Sequence, residues 1–497
     1  MSSGLTPTTI LIIIAIYFAI LMFVSWLTGR SSGNEDFFIG GRKSPWVLVA
    51  VGMIGASLSG VTFISVPGVV GAIGENQAFS YMQLVVGYIF GYMIIATVLM
   101  PMYYKLNLTS IYGYLESRFG KVSYKTGAAF FLLSRVIGAS FRLFLIAIVL
   151  QKFVLDSFGV PLWVTVAGTI VLIWIYTFQG GIKTIVWTDT LQTICMLGAV
   201  IMTIFAIGNE MNLSIGELIG KIGESDYGQI FFFKGGWSDP NNFFKQVLAG
   251  ALITIVMTGM DQDMMQKNLS CKNIGDAQKN MFTFSTILIL ANLMFITLGA
   301  LLWIYAGHID MQVPARTDQL FPEIALNHLS PTIGIVFILG LIAAAYSSAD
   351  SALTSLTTAF CVDFLNFEKN NGRNTESELK KKRWMVHISF SVILFAVILY
   401  FNSLTNDAVI NNLFKAAGYT YGPLLGLFSF GMMTKRKIKD RWALAVCLIA
   451  PMLTFWINSN SDVWFNGFQF GFLLLALNGF LTFLGLLIIS KPPEVNT

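Results

Sequence analysis

The segment GASLSGVTFISVPG, residues 55–68, sets three hydroxyls, Ser57, Ser59 and Thr62, inside an apolar run that also carries glycines at 55, 60 and 68 and a proline at 67. Glycine and proline weaken a helix, and in lipid a helix break survives only where its freed backbone groups line a protein cavity. A second set of oxygens lies in LIAAAYSSADSALTSLTTAF. Ala344, Ser347, Ser348, Ser351 and Ser355 fall at i, i+3, i+4, i+7 and i+11, one narrow helical face with Asp350 at its edge. Small residues of this kind also let membrane helices pack closely, the ordinary use of such a stripe. A stripe joined to an intramembrane carboxylate suits a hard cation, which binds several oxygens: hydroxyls, and carbonyls released at a break.

A third group is Arg142, in GASFRLFLIAIVLQ, about midway along the apolar run 124–152. An intramembrane Arg costs at least about 2.5–3.5 kcal/mol, so it needs a partner or a polar cavity. Its guanidinium fork fits a carboxylate bidentately. That carboxylate belongs either to a bound solute or to an Asp of the chain. Arg135, seven residues earlier on the same face and nearer the basic end of the run, is the better candidate for a structural ion pair.

These residues must be held by membrane helices. The chain has 497 residues, 55% hydrophobic and 11% charged, with a mean hydropathy of +0.70; soluble domains carry about twice that charged fraction. Thirteen apolar spans are expected, at 7–28, 46–72, 77–103, 124–152, 160–179, 184–207, 244–262, 278–306, 332–362, 384–401, 407–433, 440–457 and 466–489, each near the length that crosses a bilayer. The short alternating segments of a β-barrel are absent. The first span follows MSSGLTPTT, which has no basic residue, so it reads as a retained helix and not a cleavable signal. Lys and Arg gather in alternate loops, among them GRSSGNEDFFIGGRKSP, EKNNGRNTESELKKKR and TKRKIKDR. Basic loops face the cytoplasm, which puts the N-terminus outside and the C-terminus inside. The net charge of +5 is therefore loop asymmetry and no sign of a nucleic-acid partner. The four cysteines and three histidines are scattered, with neither disulfide nor zinc spacing.

Breaks that serve a binding site come in pairs at matching places in two repeats. If five spans form a repeat, span seven corresponds to span two and should break as well. It reads VLAGALITIVMTGMDQDMMQ, with glycines at 250 and 259 followed by Asp261.

FQGGIKTIVWTDTLQ (178–192), PMYYKLNLTSIYGYLESRFG (101–120), MDQDMMQKNLSCK (260–272) and AAAYSSADS resemble, in order, the motifs of the sodium:solute symporter family. SGVTFISVPG with NLTSIYGYLESRF is most similar to its anion-carrying branches, including the sialic acid, monocarboxylate and iodide carriers. The resemblance implies an all-α, LeuT-like 5+5 inverted-repeat fold in one transmembrane domain. The first repeat would be 46–207 and the second 244–433, with an extra helix at 7–28 and two more within 440–489.

By the same resemblance, a main Na⁺ site would use the carbonyls of Gly55, Leu58 and Ala344 and the hydroxyls of Ser347 and Ser348. A second Na⁺ would be held by Asp189 with Ser347 and Ser351. Asp350 stands where that branch has a third serine; it either tightens cation binding or pairs with Arg135 and leaves no second ion. Asp189 has the same alternative partner in Arg135. The solute pocket would be formed by Ser57, Ser59, Thr62, Phe79, Gln83 and Arg142.

The expected function is Na⁺-coupled import of a small anionic organic solute, sialic acid or a related sugar acid first, by alternating access with one or two Na⁺. Monocarboxylates, neutral sugars and iodide are the alternative solutes. An enzyme would need a His, Cys or paired-carboxylate constellation at one depth, and His308, His328 and His387 are not so placed; a channel would need a repeated filter sequence. The expected setting is the bacterial inner membrane, multi-pass, with lipid and the solute as the only partners.

Overall fold

A computed structural model describes residues 6–28, 37–38, 40–177, 181–367, 375–403 and 409–492. Residues 178–180 at the head of the FQGGIK motif, 368–374 in the charge run and 404–408 where span eleven is expected to begin lie outside them.

Among the described residues ten helices are long and apolar enough to cross a membrane, and a bent pair, Trp46–Ser57 with Val61–Val69, makes up to eleven. In chain order the main helices begin with α1 (Pro7–Thr28), then the bent pair as α2 (Trp46–Ser57) and α3 (Val61–Val69), and α4 (Tyr81–Lys105). There follow α5 (Lys121–Leu150), α6 (Leu162–Thr177), α7 (Gly181–Glu210) and the surface helix α8 (Ile215–Glu224). Next come α9 (Phe243–Thr254), α10 (Gln262–Leu269), α11 (Ile274–His308) and α12 (Pro331–Ala359). The chain closes with α13 (Glu376–Phe401), α14 (Val409–Thr420), α15 (Gly422–Met433), α16 (Ala443–Ser459) and α17 (Leu474–Ile488). Where spans were expected at 160–179 and 407–433 stand α6 (16 residues) and α14 with α15 (12 residues each), which are not among those long helices.

The break expected in span two is present: the axes of α2 and α3 differ by 61°. Span seven breaks too. α9 runs into a π-turn at Ile255–Gly259, Met260 leaves helical geometry, and an extended Asp261 starts α10. Asp261 caps that new helix, its Oδ1 accepting from the amides of Asp263 (2.9 Å) and Met264 (3.4 Å). A short polar side chain at an N-cap is what lets a chain restart a helix after a break.

α7 and α12 pack along each other, α2 lies against α7, and α5 and α11 flank this group. The serine stripe of α12 is wholly inside: every residue from Ile338 to Ala359 except Leu339 is buried. α4 crosses α9 at Gly87 and Gly250, where an added Cβ would lie 2.2 Å from the Val247 carbonyl oxygen and 2.1 Å from that of Leu84. Only glycine allows backbones this close. The apolar faces left outside, on α1, α13 and α16, are those of helices turned toward lipid.

Candidate functional site

At the end of α2 the Leu58 amide still reaches the Ile54 carbonyl (2.7 Å), but the Ser59 amide turns back to Ser57 (3.0 Å). In a continuous helix Ser59 would serve Gly55. The Gly55 carbonyl thus loses its intrahelical donor at the break. Gly55 also marks where three helices converge: a Cβ there would sit 2.5 Å from Thr193 Oγ1, 3.1 Å from the Asp189 carbonyl oxygen and 3.1 Å from Ser347 Oγ. Thr193 and Asp189 belong to α7 and Ser347 to α12.

The structure therefore brings Gly55, Ser347 and Asp189 together. Ser347 donates its hydroxyl to Asp189 Oδ1 at 2.7 Å. The hydroxyls of Ser348 and Ser351 are buried and have no hydrogen-bond partner among the described residues, an arrangement that costs free energy unless a ligand or water completes it. Buried oxygens with open lone pairs, on the helix whose Ser347 lies against Gly55, suit a small hard cation. Ala344 lies buried one turn before Ser347 and Ser348. Asp350, also buried, accepts the Ser351 amide on Oδ1 (2.5 Å).

Beside the break is a cavity of about 90 Å³ lined by Ser57, Ser59 and Thr62 of the broken span and by Arg142 of α5. Its far wall is Tyr81, Tyr88 and Tyr92 of α4, and Leu413 and Phe414 of α14 close it. The Arg142 side chain makes no hydrogen bond or ion pair among the described residues, and its Nε is buried without a partner. Arg135, in contrast, pairs with Asp263 of α10. Neither Asp189 nor Asp350 is the partner of Arg135, so both alternatives that paired them are set aside. Tyr421 completes this cluster by donating to Asp261.

Two expected pocket residues are elsewhere. Gln83 donates to the Asn241 carbonyl (2.8 Å) and accepts the Phe232 amide (3.1 Å), tying α4 to the loop before α9. The Phe79 amide is bonded to the Gln229 carbonyl (3.1 Å) in the same loop. For Gln83 the reason is helical phase: Tyr81, Tyr88 and Tyr92, spaced i, i+7 and i+11, face the cavity, so the residue two positions after Tyr81 points about 200° away. Phe79 lies in the turn before the helix. That tyrosine spacing is visible in SYMQLVVGYIFGY and was the available signal.

Lys267 is the residue the sequence reading missed. Its ammonium donates to Asp189 Oδ2 at 2.6 Å, with both side chains at most 1% exposed. Asp263 and Lys267 stand one turn apart on α10, the spacing of a self-contained pair, yet each takes its counter-charge from another helix.

On the side away from the basic loops, Asp318 joins α3 to α14. Its Oδ1 accepts Ser65 of α3 (2.6 Å) and its Oδ2 the Val409 amide at the start of α14 (3.2 Å), while the Ile410 amide reaches Ser65 Oγ (3.2 Å). Burial pushes the Asp318 carboxyl above the usual carboxylate range, against the lowering effect of the Ser65 and Val409 hydrogen bonds and of nearby Arg316. Beyond α14 a second cavity of about 650 Å³ is lined by Glu75, Asn411, Lys415 and Tyr419.

The family model for "Sodium:solute symporter family" matches residues 37–449. The chain belongs to this family. It is 26% identical over 488 residues to the sodium/sialic acid symporter NanT of Aliivibrio fischeri, covering 93% of this chain and 90% of that one. It is 24% identical over 434 residues to the sodium/sialic acid symporter SiaT of Proteus mirabilis, covering 84% of each. Its fold superposes on the substrate-bound, outward-open structure of a Na⁺-coupled sialic acid symporter with a TM-score of 0.81 at 19% identity, over 97% of this chain and 98% of that one. At that identity the likeness establishes the fold alone, that of a mostly helical, multi-pass membrane protein.

Proposed function

We propose that this family member couples an inward Na⁺ gradient to import of a small anionic organic solute, with sialic acid or a related sugar acid the first candidate. The observation that carries the reading is Arg142, a buried guanidinium without a protein counter-charge among the described residues, facing a cavity edged by three hydroxyls. A free fork asks for a carboxylate, and Ser57, Ser59 and Thr62 supply the neutral hydrogen bonds that a polyhydroxylated acid needs around its single charge. Phe79 and Gln83 have no part in that pocket.

The cation would bind between the carbonyls of Gly55, Leu58 and Ala344 and the hydroxyls of Ser347 and Ser348. Such a site clasps α2 to α12, so Na⁺ favours the arrangement in which the broken span and α12 are together. Where solute recognises that same arrangement, each ligand raises the other's affinity. Each Na⁺ that enters releases about 2.3 kcal/mol per 100 mV of membrane potential, besides its concentration gradient.

The basic loops set the orientation: N-terminus outside, C-terminus in the cytoplasm, with thirteen crossings of the bacterial inner membrane. The two breaks mark two repeats of opposite orientation, 46–207 and 244–433, followed by two more helices in 440–489. The cavity has room for about six to nine waters at about 10–15 Å³ each, too little for a nine-carbon sugar acid, so α14 must part from the broken span to admit one. Alternating access follows from that need.

The test is uptake by the purified protein in proteoliposomes, with and without an inward Na⁺ gradient, using labelled sialic acid against a monocarboxylate, a neutral sugar and iodide. Uptake of sialic acid that collapses without Na⁺ supports the reading. Preference for the neutral sugar would remove the carboxylate from it, and no Na⁺-dependent uptake of any of the four would refute it.

A further inference from the structure

The second cation expected at Asp189 faces a difficulty that is geometric. Asp189 Oδ2 already holds the Lys267 ammonium at 2.6 Å, and Oδ1 holds the Ser347 hydroxyl at 2.7 Å. The lysine side chain is 1% exposed and the carboxylate is fully buried, so neither partner is screened by water. A Na⁺ placed on this carboxylate would sit beside a resident positive charge in a medium of low dielectric, where like charges repel strongly. Asp350, the other carboxylate expected there, has Oδ1 occupied by the Ser351 amide. The residues present do not fit a second sodium.

We infer that Lys267 supplies, as a permanent part of the protein, the positive charge that a second sodium would otherwise bring to Asp189, so that one Na⁺ is bound and moved with each solute. This rests on the Na⁺-coupled reading above. The lysine is covalently part of the chain and is not carried across with the solute, and so it contributes nothing to the work drawn from the gradient.

The same pair positions the main site. Because the Ser347 proton is committed to Asp189, the Ser347 oxygen keeps its lone pairs for the side where Gly55 approaches, a Cβ's position there being 3.1 Å from it. Without Lys267, Asp189 would be a buried, unbalanced carboxylate that must recruit a cation. Lys267 also lies on α10, past the break in span seven, while Asp189 and Ser347 stand on α7 and α12. The pair thus fastens the inner half of one broken span to the helices that face the other.

The experiment counts ions directly. Purified full-length protein is equilibrated with ²²Na⁺ in nanodiscs, with the reversal potential of solute transport in proteoliposomes as a second measure. The wild type should take up one Na⁺ per chain and couple one per solute. Lys267→Met should raise the count to two, and the double change Lys267→Met with Asp189→Asn should return it to one. A wild-type count of two overturns the inference, as does a folded Lys267→Met protein that still binds one. If Lys267→Met does not fold, the wild-type count alone decides. A wild-type count of zero would instead refute the Na⁺-coupled reading itself.

Discussion

Arg135 and Arg142 stand seven residues apart on α5, two turns along one face, yet among the described residues only Arg135 has a carboxylate, Asp263, against it. Their substitutions should therefore fail in different ways. Arg142→Ala should fold and bind Na⁺ while losing about thirty- to several-thousand-fold in solute affinity, the usual cost of removing one member of a desolvated charge pair. Arg142→Lys should recover only part, since an ammonium has no planar fork. Arg135→Gln strands a buried carboxylate and should lower folding stability by about 3–5 kcal/mol. Calorimetric binding and thermal unfolding in detergent separate the two; equal solute affinity in Arg142→Ala and wild type would dismiss its carboxylate role.

Ser348→Ala should raise the Na⁺ concentration for half-maximal uptake while leaving the unfolding midpoint nearly unchanged. The hydroxyl is buried with no partner among the described residues, so its loss strands nothing in the protein. Gly55→Ala should be worse in both respects, because its new methyl would lie 2.5 Å from Thr193 Oγ1 and overpacking typically costs about 1–3 kcal/mol. An unchanged Na⁺ dependence in Ser348→Ala would move the cation elsewhere.

The breaks were legible because glycine, serine and aspartate in the middle of apolar spans contradict their surroundings locally. Gly55–Gly60 and Gly259–Asp261 needed no knowledge of any neighbour. Arg142 was legible for the same reason, since lipid makes an unpaired charge conspicuous. What could not be read was pairing across the fold. Lys267 and Asp189 are 78 residues apart, and Asp318 and Ser65 are 253 apart. A Lys or Asp just inside a span end looks like a loop residue until the neighbouring helix is known. Helical phase failed for another reason: Gln83 and Tyr81 lie on different sides of α4, and only the packing of α4 on α9 decides which side meets the cavity.

Gln83→Ala should leave solute selectivity unchanged. Its amide serves the Asn241 carbonyl and the Phe232 amide, so the change should loosen residues 225–242 and lower stability by about 1–3 kcal/mol, the cost of stranding buried polar groups. Tyr88→Ala, on the cavity side of the same helix, should weaken solute binding. Hydrogen exchange over 225–242 and competition binding by the four solutes measure both effects. A selectivity change in Gln83→Ala with unaltered exchange would return Gln83 to the pocket.

Asp318 should act as a latch that holds α14 against α3 and keeps the inner cavity closed toward the second one. Asp318→Ala leaves the Ser65 hydroxyl and the Val409 amide without their acceptor; a buried donor left unsatisfied costs about 1–3 kcal/mol, and two of them are enough to shift an open–closed equilibrium by ten-fold or more. A cysteine placed at Thr62, which lines the cavity, should then react faster with an impermeant thiol reagent. The pH dependence has a definite sign. Burial raises the Asp318 carboxyl when the latch is closed, whereas in an open, hydrated latch it returns toward the ordinary value. The closed form therefore binds a proton more tightly, and its advantage is greatest at and below the ordinary carboxylate range and declines as pH rises through the raised value. Thiol labelling of the Thr62→Cys protein should speed up as pH rises through that window, after correction for the reagent's own pH dependence. Asp318→Asn keeps one acceptor for Ser65 or Val409 and cannot ionise, so it should abolish that rise. Labelling that is equally fast in wild type and Asp318→Ala, or a pH dependence that survives in Asp318→Asn, would show that the closure of α14 is held by its apolar contacts and not by this carboxylate.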